Sequence, residues 1–250
     1  MRRTSVKDPL KDYFNILMRE LKETAYQTME KNEKETVTLY ECIDFWVDTI
    51  RPIMDKWKTS EYEYLAIQWM SFLYKELNQV LISSLGGAYL DAVRTLRSIF
   101  ETLIHVYSLE LRHVDKPRNE RWNALSVELD RMEKKRKTFT SKFINELPGF
   151  SAGEKSHLHK LYEELSSYTH PSIRHLEMGP PTSILFNYDP EMLRVCAQLS
   201  AAVTDLMFAV ALQLESKFRD GLNEATKCWM KKLGMDFSLA RLEIPQNPSH

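Results

Sequence analysis

The chain has 250 residues, 43% of them hydrophobic and 28% charged, enough to bury a sizeable core beneath a solvated surface. Its 34 basic and 35 acidic side chains leave a net charge of -1, so no global field draws it to nucleic acid and only a local patch could do so. Three widely spaced cysteines, Cys42, Cys196 and Cys228, form no Cys-x-x-Cys pair, which excludes a zinc knuckle or thioredoxin-type site and fits a reducing, cytoplasmic setting.

Asp8-Pro9 opens the first helix, an N-cap acid followed by proline at the first helical position. Leu10, Phe14, Leu17, Leu21 and Ala25 carry it at helical spacing to about Glu30. Asn32, with Glu35 three residues on, reads as a capping box for a second helix, which Pro52 kinks or ends. Ser60-Glu61-Tyr62-Glu63 starts a third, which stops at Gly86-Gly87. The N-terminus has no apolar run of the secretory kind.

The stretch from Leu85 to His113 is the most strongly two-faced. Ala88, Tyr89, Ala92, Leu96, Ile99, Phe100, Leu103, Val106 and Tyr107 form its apolar side. Arg94, Arg97, Glu101 and His105 fall within about 80° of one another opposite it. A charged helix follows from about Asn119 and runs into the basic segment Arg131–Lys137, the one local candidate for salt-sensitive phosphate contacts. A shorter stretch runs to Leu147. Ser151-Ala152-Gly153-Glu154 is a further capping box, and its helix ends near His170, because Pro171 disfavours the α region before it. Irregular chain is expected from Ile173 to Tyr188. Asp189-Pro190 then opens a long apolar helix to about Arg219. Arg194, Gln198 and Asp205 interrupt it, so it reads as a buried bundle helix and not a membrane span.

No alternating pattern of useful length appears. The expected fold is all-α: one domain over residues 1–250, a bundle of seven or eight helices with no significant sheet. Residues 1–7 and 243–250 are expected to be loose. The bundle core is assigned to the helices at 61–85, 88–113, 152–169 and 190–219.

Two constellations could carry chemistry. In the first, Arg97 and Glu101 are i,i+4 neighbours with Arg94 one turn earlier. If buried, the planar guanidinium forks could hold a carboxylate or phosphate at two points. Asp205, on an apolar helix face, needs a partner to be buried, and Arg94 or Arg97 would supply it. In the second, His170 leaves a helix C-terminus beside Tyr168 and Ser172, where the dipole favours the protonated ring. Glu110-x-x-His113 and Glu154-x-x-His157 match the spacing of di-iron bundles. Both sit near expected helix ends in charged surroundings, so no metal or other cofactor is assigned. No glycine-rich phosphate loop and no DNA sequence-reading motif is present.

Arg94-x-x-Arg97-x-x-x-Glu101 on one helix, combined with Tyr168-x-His170-Pro171-Ser172 after another, resembles a HEPN-like family of all-helical prokaryotic proteins, over about a third of the chain. The resemblance implies a helical, homodimeric module that binds a nucleotide, RNA or a partner protein. Arg94 and Arg97 would hold an anionic group, Glu101 would orient them, and His105, Tyr168, His170 and Asp205 would complete the groove. Catalytic HEPN ribonucleases are similar but carry an Arg-x4-6-His motif, and no arginine stands five to seven residues before His105, His113, His157, His159, His170 or His175. A metal-independent ribonuclease is therefore the alternative, with His170 as general acid or base and Arg97 stabilising phosphorane charge. A purely structural protein-interaction bundle is the third.

Overall fold

The structure, a computed structural model, describes residues 7–54, 64–135, 140–169, 188–214, 217–220 and 222–243. The order of elements is α1 (Lys7–Lys31), α2 (Glu33–Phe45, continuing without a break through a π-helical turn at Trp46–Ile50 and Arg51–Met54), α3 (Leu65–Leu85), α4 (Tyr89–Arg112), α5 (Arg118–Lys135), α6 (Thr140–Glu146), α7 (Ala152–Thr169), α8 (Pro190–Leu214), α9 (Lys217–Asp220), α10 (Glu224–Leu233) and α11 (Asp236–Glu243). Among the described residues there is no strand, as the sequence implies. Among the described residues there are eleven helices, where seven or eight were expected. The excess lies mostly after Leu214, where three short helices replace the single run to about Arg219.

Nearly all the buried hydrophobic side chains among the described residues form one contiguous cluster. α4 lies against α3, α5, α6, α7 and α8, and α8 packs in turn on α2, α3 and α11. The apolar side of α4 read from the sequence is buried: Ala92, Leu96 and Phe100 are wholly enclosed. Each large apolar side chain so enclosed contributes roughly 1.5–3 kcal/mol. α8 has the length and hydropathy to cross a membrane, but 78% of its most apolar window is buried inside the protein, so here it is a core helix. Its Phe208 meets Phe45 of α2 edge-on at 5.1 Å, and Phe45 meets Trp229 of α10 at 5.5 Å.

The helix ends show where local chemistry suffices. Ser151 and Glu154 form the expected reciprocal box, Ser151 N–H donating to Glu154 Oε2 at 2.7 Å and Glu154 N–H to Ser151 Oγ at 3.3 Å. Asp189 Oδ1 accepts from Glu191 and Met192 N–H as an N-cap should. α3 ends at Leu85, with Gly87 at φ 77°, a conformation open to glycine. Asn32 differs from expectation: it makes no side-chain cap, and its amide donates to the Tyr188 hydroxyl instead. Pro52 neither ends nor breaks α2. The helix widens into a π-turn just before it, which absorbs the missing N–H and the ring's clash with the preceding turn. The expected cap at Ser60 and the irregular stretch up to 187 lie outside the described residues, as do residues 1–6 and 244–250 of the expected loose ends.

α10 and α11 were not anticipated, although their punctuation is plain in retrospect. Asn223 Oδ1 accepts from Thr226 N–H at 2.9 Å, and Gly234 closes α10 at φ 69° in the left-handed conformation.

Candidate functional site

The polar stripe of α4 does not form one groove. Arg94 is exposed and pairs with Asp91 at 2.9 Å on its own helix. Arg97 and Glu101 sit deeper, with side chains 17% and 21% exposed, and Arg97 Nε donates to Glu101 Oε1 at 3.0 Å. Arg97 Nη1 donates to the hydroxyl of Thr169 at the end of α7. The guanidinium lies 5.6 Å from the ring centroid of Tyr162, which is stacked on Phe100. Glu101, Thr169 and Tyr162 thus fix the plane of one arginine at the junction of α4 and α7. Tyr168 is half-buried and packs against the core beside this junction. His170, and with it the ribonuclease alternative's acid–base group, lies outside the described residues.

His105 and Asp205 do not join them. His105 is buried, 3.2 Å from the Thr140 hydroxyl and 4.7 Å from the Phe143 ring. Burial pushes its pKa down against the opposing pull of Glu101, so the ring is neutral near pH 7 and enclosed between α4 and α6.

The expected contact of Asp205 with Arg94 or Arg97 is not formed. Its carboxylate caps α11: Oδ2 accepts from Phe237 N–H and Oδ1 from Ser238 N–H, both at 2.9 Å, and Ser238 Oγ donates to Oδ1 as well. Burial nonetheless outweighs these bonds and pushes the carboxyl up to about 6. The need for a partner was legible in the sequence. The partner is a helix N-terminus.

A second buried carboxylate does the same work. Glu110 Oε1 and Oε2 accept from the N–H groups of Leu65 and Ala66 at the start of α3, and Arg121 Nε lies 3.7 Å from Oε1, both side chains being almost fully enclosed. His113, which shares the Glu-x-x-His spacing with Glu110, pairs with Glu128 at 2.9 Å. Among the described residues no three His, Cys, Asp or Glu side chains gather as a metal site would need.

Sequence reasoning also missed a cleft of about 530 Å³ between the starts of α7 and α11, floored by α8. Glu154, His157, Asp205, Asp236 and Phe237 line it. Behind Glu154 lies Arg241, 3% exposed, its Nη1 on Glu154 Oε1 at 2.6 Å and its Nε 3.3 Å from Gln213 Oε1. Gln213 in turn fills the space beside Gly149, where an added Cβ would come 1.4 Å from its amide nitrogen and φ is +72°. The signal for this cleft was present only as the capping box at Ser151 and the unexplained Asp205. Compared with protein-family models, curated proteins and solved structures, the chain matches none.

Proposed function

We propose that the protein is a HEPN-like binding module, homodimeric as that resemblance implies, that holds an anionic group of a nucleotide or RNA at the Arg94–Arg97 edge of α4. The observation that carries this is the preorganised Arg97. Glu101, Thr169 and Tyr162 hold its guanidinium in one plane at the rim of the bundle. A group so held loses little further freedom on meeting a phosphate. Arg94, one turn away and exposed, adds a second cation on the same side. Binding is favoured over catalysis because the one described histidine of the stripe, His105, is enclosed between α4 and α6 and held neutral.

Fluorescence anisotropy with a labelled single-stranded RNA, and calorimetry with ATP, test this. Arg94→Glu, at an exposed position, should leave the thermal midpoint nearly unchanged and weaken binding by about tenfold or more, the reversal of one phosphate contact. Arg97→Gln should weaken it further. Wild-type protein that binds neither probe, or binding indifferent to Arg94→Glu, refutes the assignment.

A further inference from the structure

The cleft between α7, α8 and α11 lies apart from the Arg97 edge and has its own chemistry. At about 530 Å³ it falls within the range of small-ligand pockets. None of the ten residues lining it is lysine or arginine. The cation behind it, Arg241, is buried with its Nη1 on Glu154.

Two helices start at this cleft, and helix starts ordinarily invite anions. Here the invitation is already taken up by the protein's own carboxylates. Glu154 accepts the Ser151 N–H, and Asp205 accepts those of Phe237 and Ser238. An incoming phosphate would find these amides occupied and carboxylates around it. Asp236 adds a further negative charge at the exposed margin, and its carboxylate has no hydrogen bond or ion pair among the described residues. Carboxylates accept and do not donate, so a guest must bring donors. The remaining wall is apolar, formed by Phe237, with the His157 ring edge-on to it at 5.0 Å, and by Ala202 and Ala240.

We propose that this cleft is a binding site for an organic cation, a primary ammonium on a short aryl or alkyl body. The ammonium donates to Asp236 and, deeper in the cleft, to Asp205. The body rests on Phe237 and His157, where an aromatic face adds attraction for the charge.

Calorimetry on the full chain at pH 7.5 and low salt tests this with benzylamine as the probe, benzyl alcohol as its neutral counterpart and benzoate as its anionic one. Benzylamine should bind with a Kd of about 1 mM or tighter. Benzyl alcohol should bind about tenfold more weakly, having lost the charge-assisted bonds, and benzoate more weakly still. Asp236→Asn should weaken benzylamine by about fivefold or more without lowering the thermal midpoint by more than the loss of one first-turn acid. Ala240→Trp, which fills the cleft from an exposed position, should abolish binding. Arg94→Glu should leave benzylamine binding intact, which separates this site from the RNA-binding assignment. Benzylamine that fails to bind, that binds no better than benzyl alcohol, or that ignores both cleft substitutions overturns the assignment.

Discussion

Asp205 concentrates several effects in one side chain. It is 3% exposed, caps a helix, borders the cleft and has its carboxyl pushed up to about 6 by burial. The folded protein therefore keeps this proton up to about pH 6, whereas the unfolded chain releases it near the ordinary value of 3.8. Between those values the folded state binds more protons, so this group's contribution to stability falls as pH rises through the window. The full loss is on the order of 3 kcal/mol. Asp205→Asn removes the titration. Urea unfolding of both proteins at several pH values across the window should show wild type losing ground to the variant as pH rises. The reverse trend would mean that the three hydrogen bonds outweigh burial. This residue also marks the boundary of what the sequence discloses. An acid among Ala201, Ala202, Phe208 and Ala209 announces that it needs a partner. Backbone N–H groups of a distant helix are not a residue type, so no pattern names them.

At the scale of elements, the same limit separates the helix starts. Those of α7 and α8 are written locally, in Ser151–Glu154 and Asp189–Pro190, and form as written. The described start of α3 at Leu65 is held by Glu110, 45 residues away from its first N–H. Glu110→Ala would leave the Arg121 charge buried without its carboxylate and the Leu65 and Ala66 amides open, at a cost of about 3–5 kcal/mol. Glu110→Gln keeps one acceptor and should cost less. Guanidinium midpoints of the two variants check the order, and equal loss would show that the cap is secondary to side-chain volume. The amphipathic pattern of α4 was legible because apolar periodicity is a local property. Its polar side was only half legible. The Arg97–Glu101 pair follows from i,i+4 spacing, but Thr169 and Tyr162, which orient Arg97, come from another helix. α10 and α11 went unread despite Asn223 and Gly234, because helices of 10 and 8 residues show too few turns for a period to stand out.

Over the whole molecule, burial is uneven. α4 and α8 carry the largest numbers of enclosed side chains, whereas residues 11–16 of α1 are exposed all round and include Tyr13, Phe14 and Ile16. Further along, Thr28 is buried and its hydroxyl lies 3.2 Å from the Leu85 carbonyl at the end of α3, so α1 is anchored at its C-terminal half. Hydrogen–deuterium exchange should show the slowest amides in the middle of α4 and α8 and rapid exchange over the first three turns of α1. Slow exchange in those turns at high protein concentration, lost on dilution, would show a second copy covering them.

The reliance of Asp205 on α11 also has a consequence for a chain made from its N-terminus. α8 carries the carboxylate into the core some thirty residues before Phe237 and Ser238 are synthesised. Until those amides leave the ribosome, closing the bundle around α8 buries a charge with no counterpart. A nascent or truncated chain ending at Gly234 should therefore pack α8 less stably than one that runs through α11, by the cost of a buried carboxyl that has lost its three hydrogen bonds.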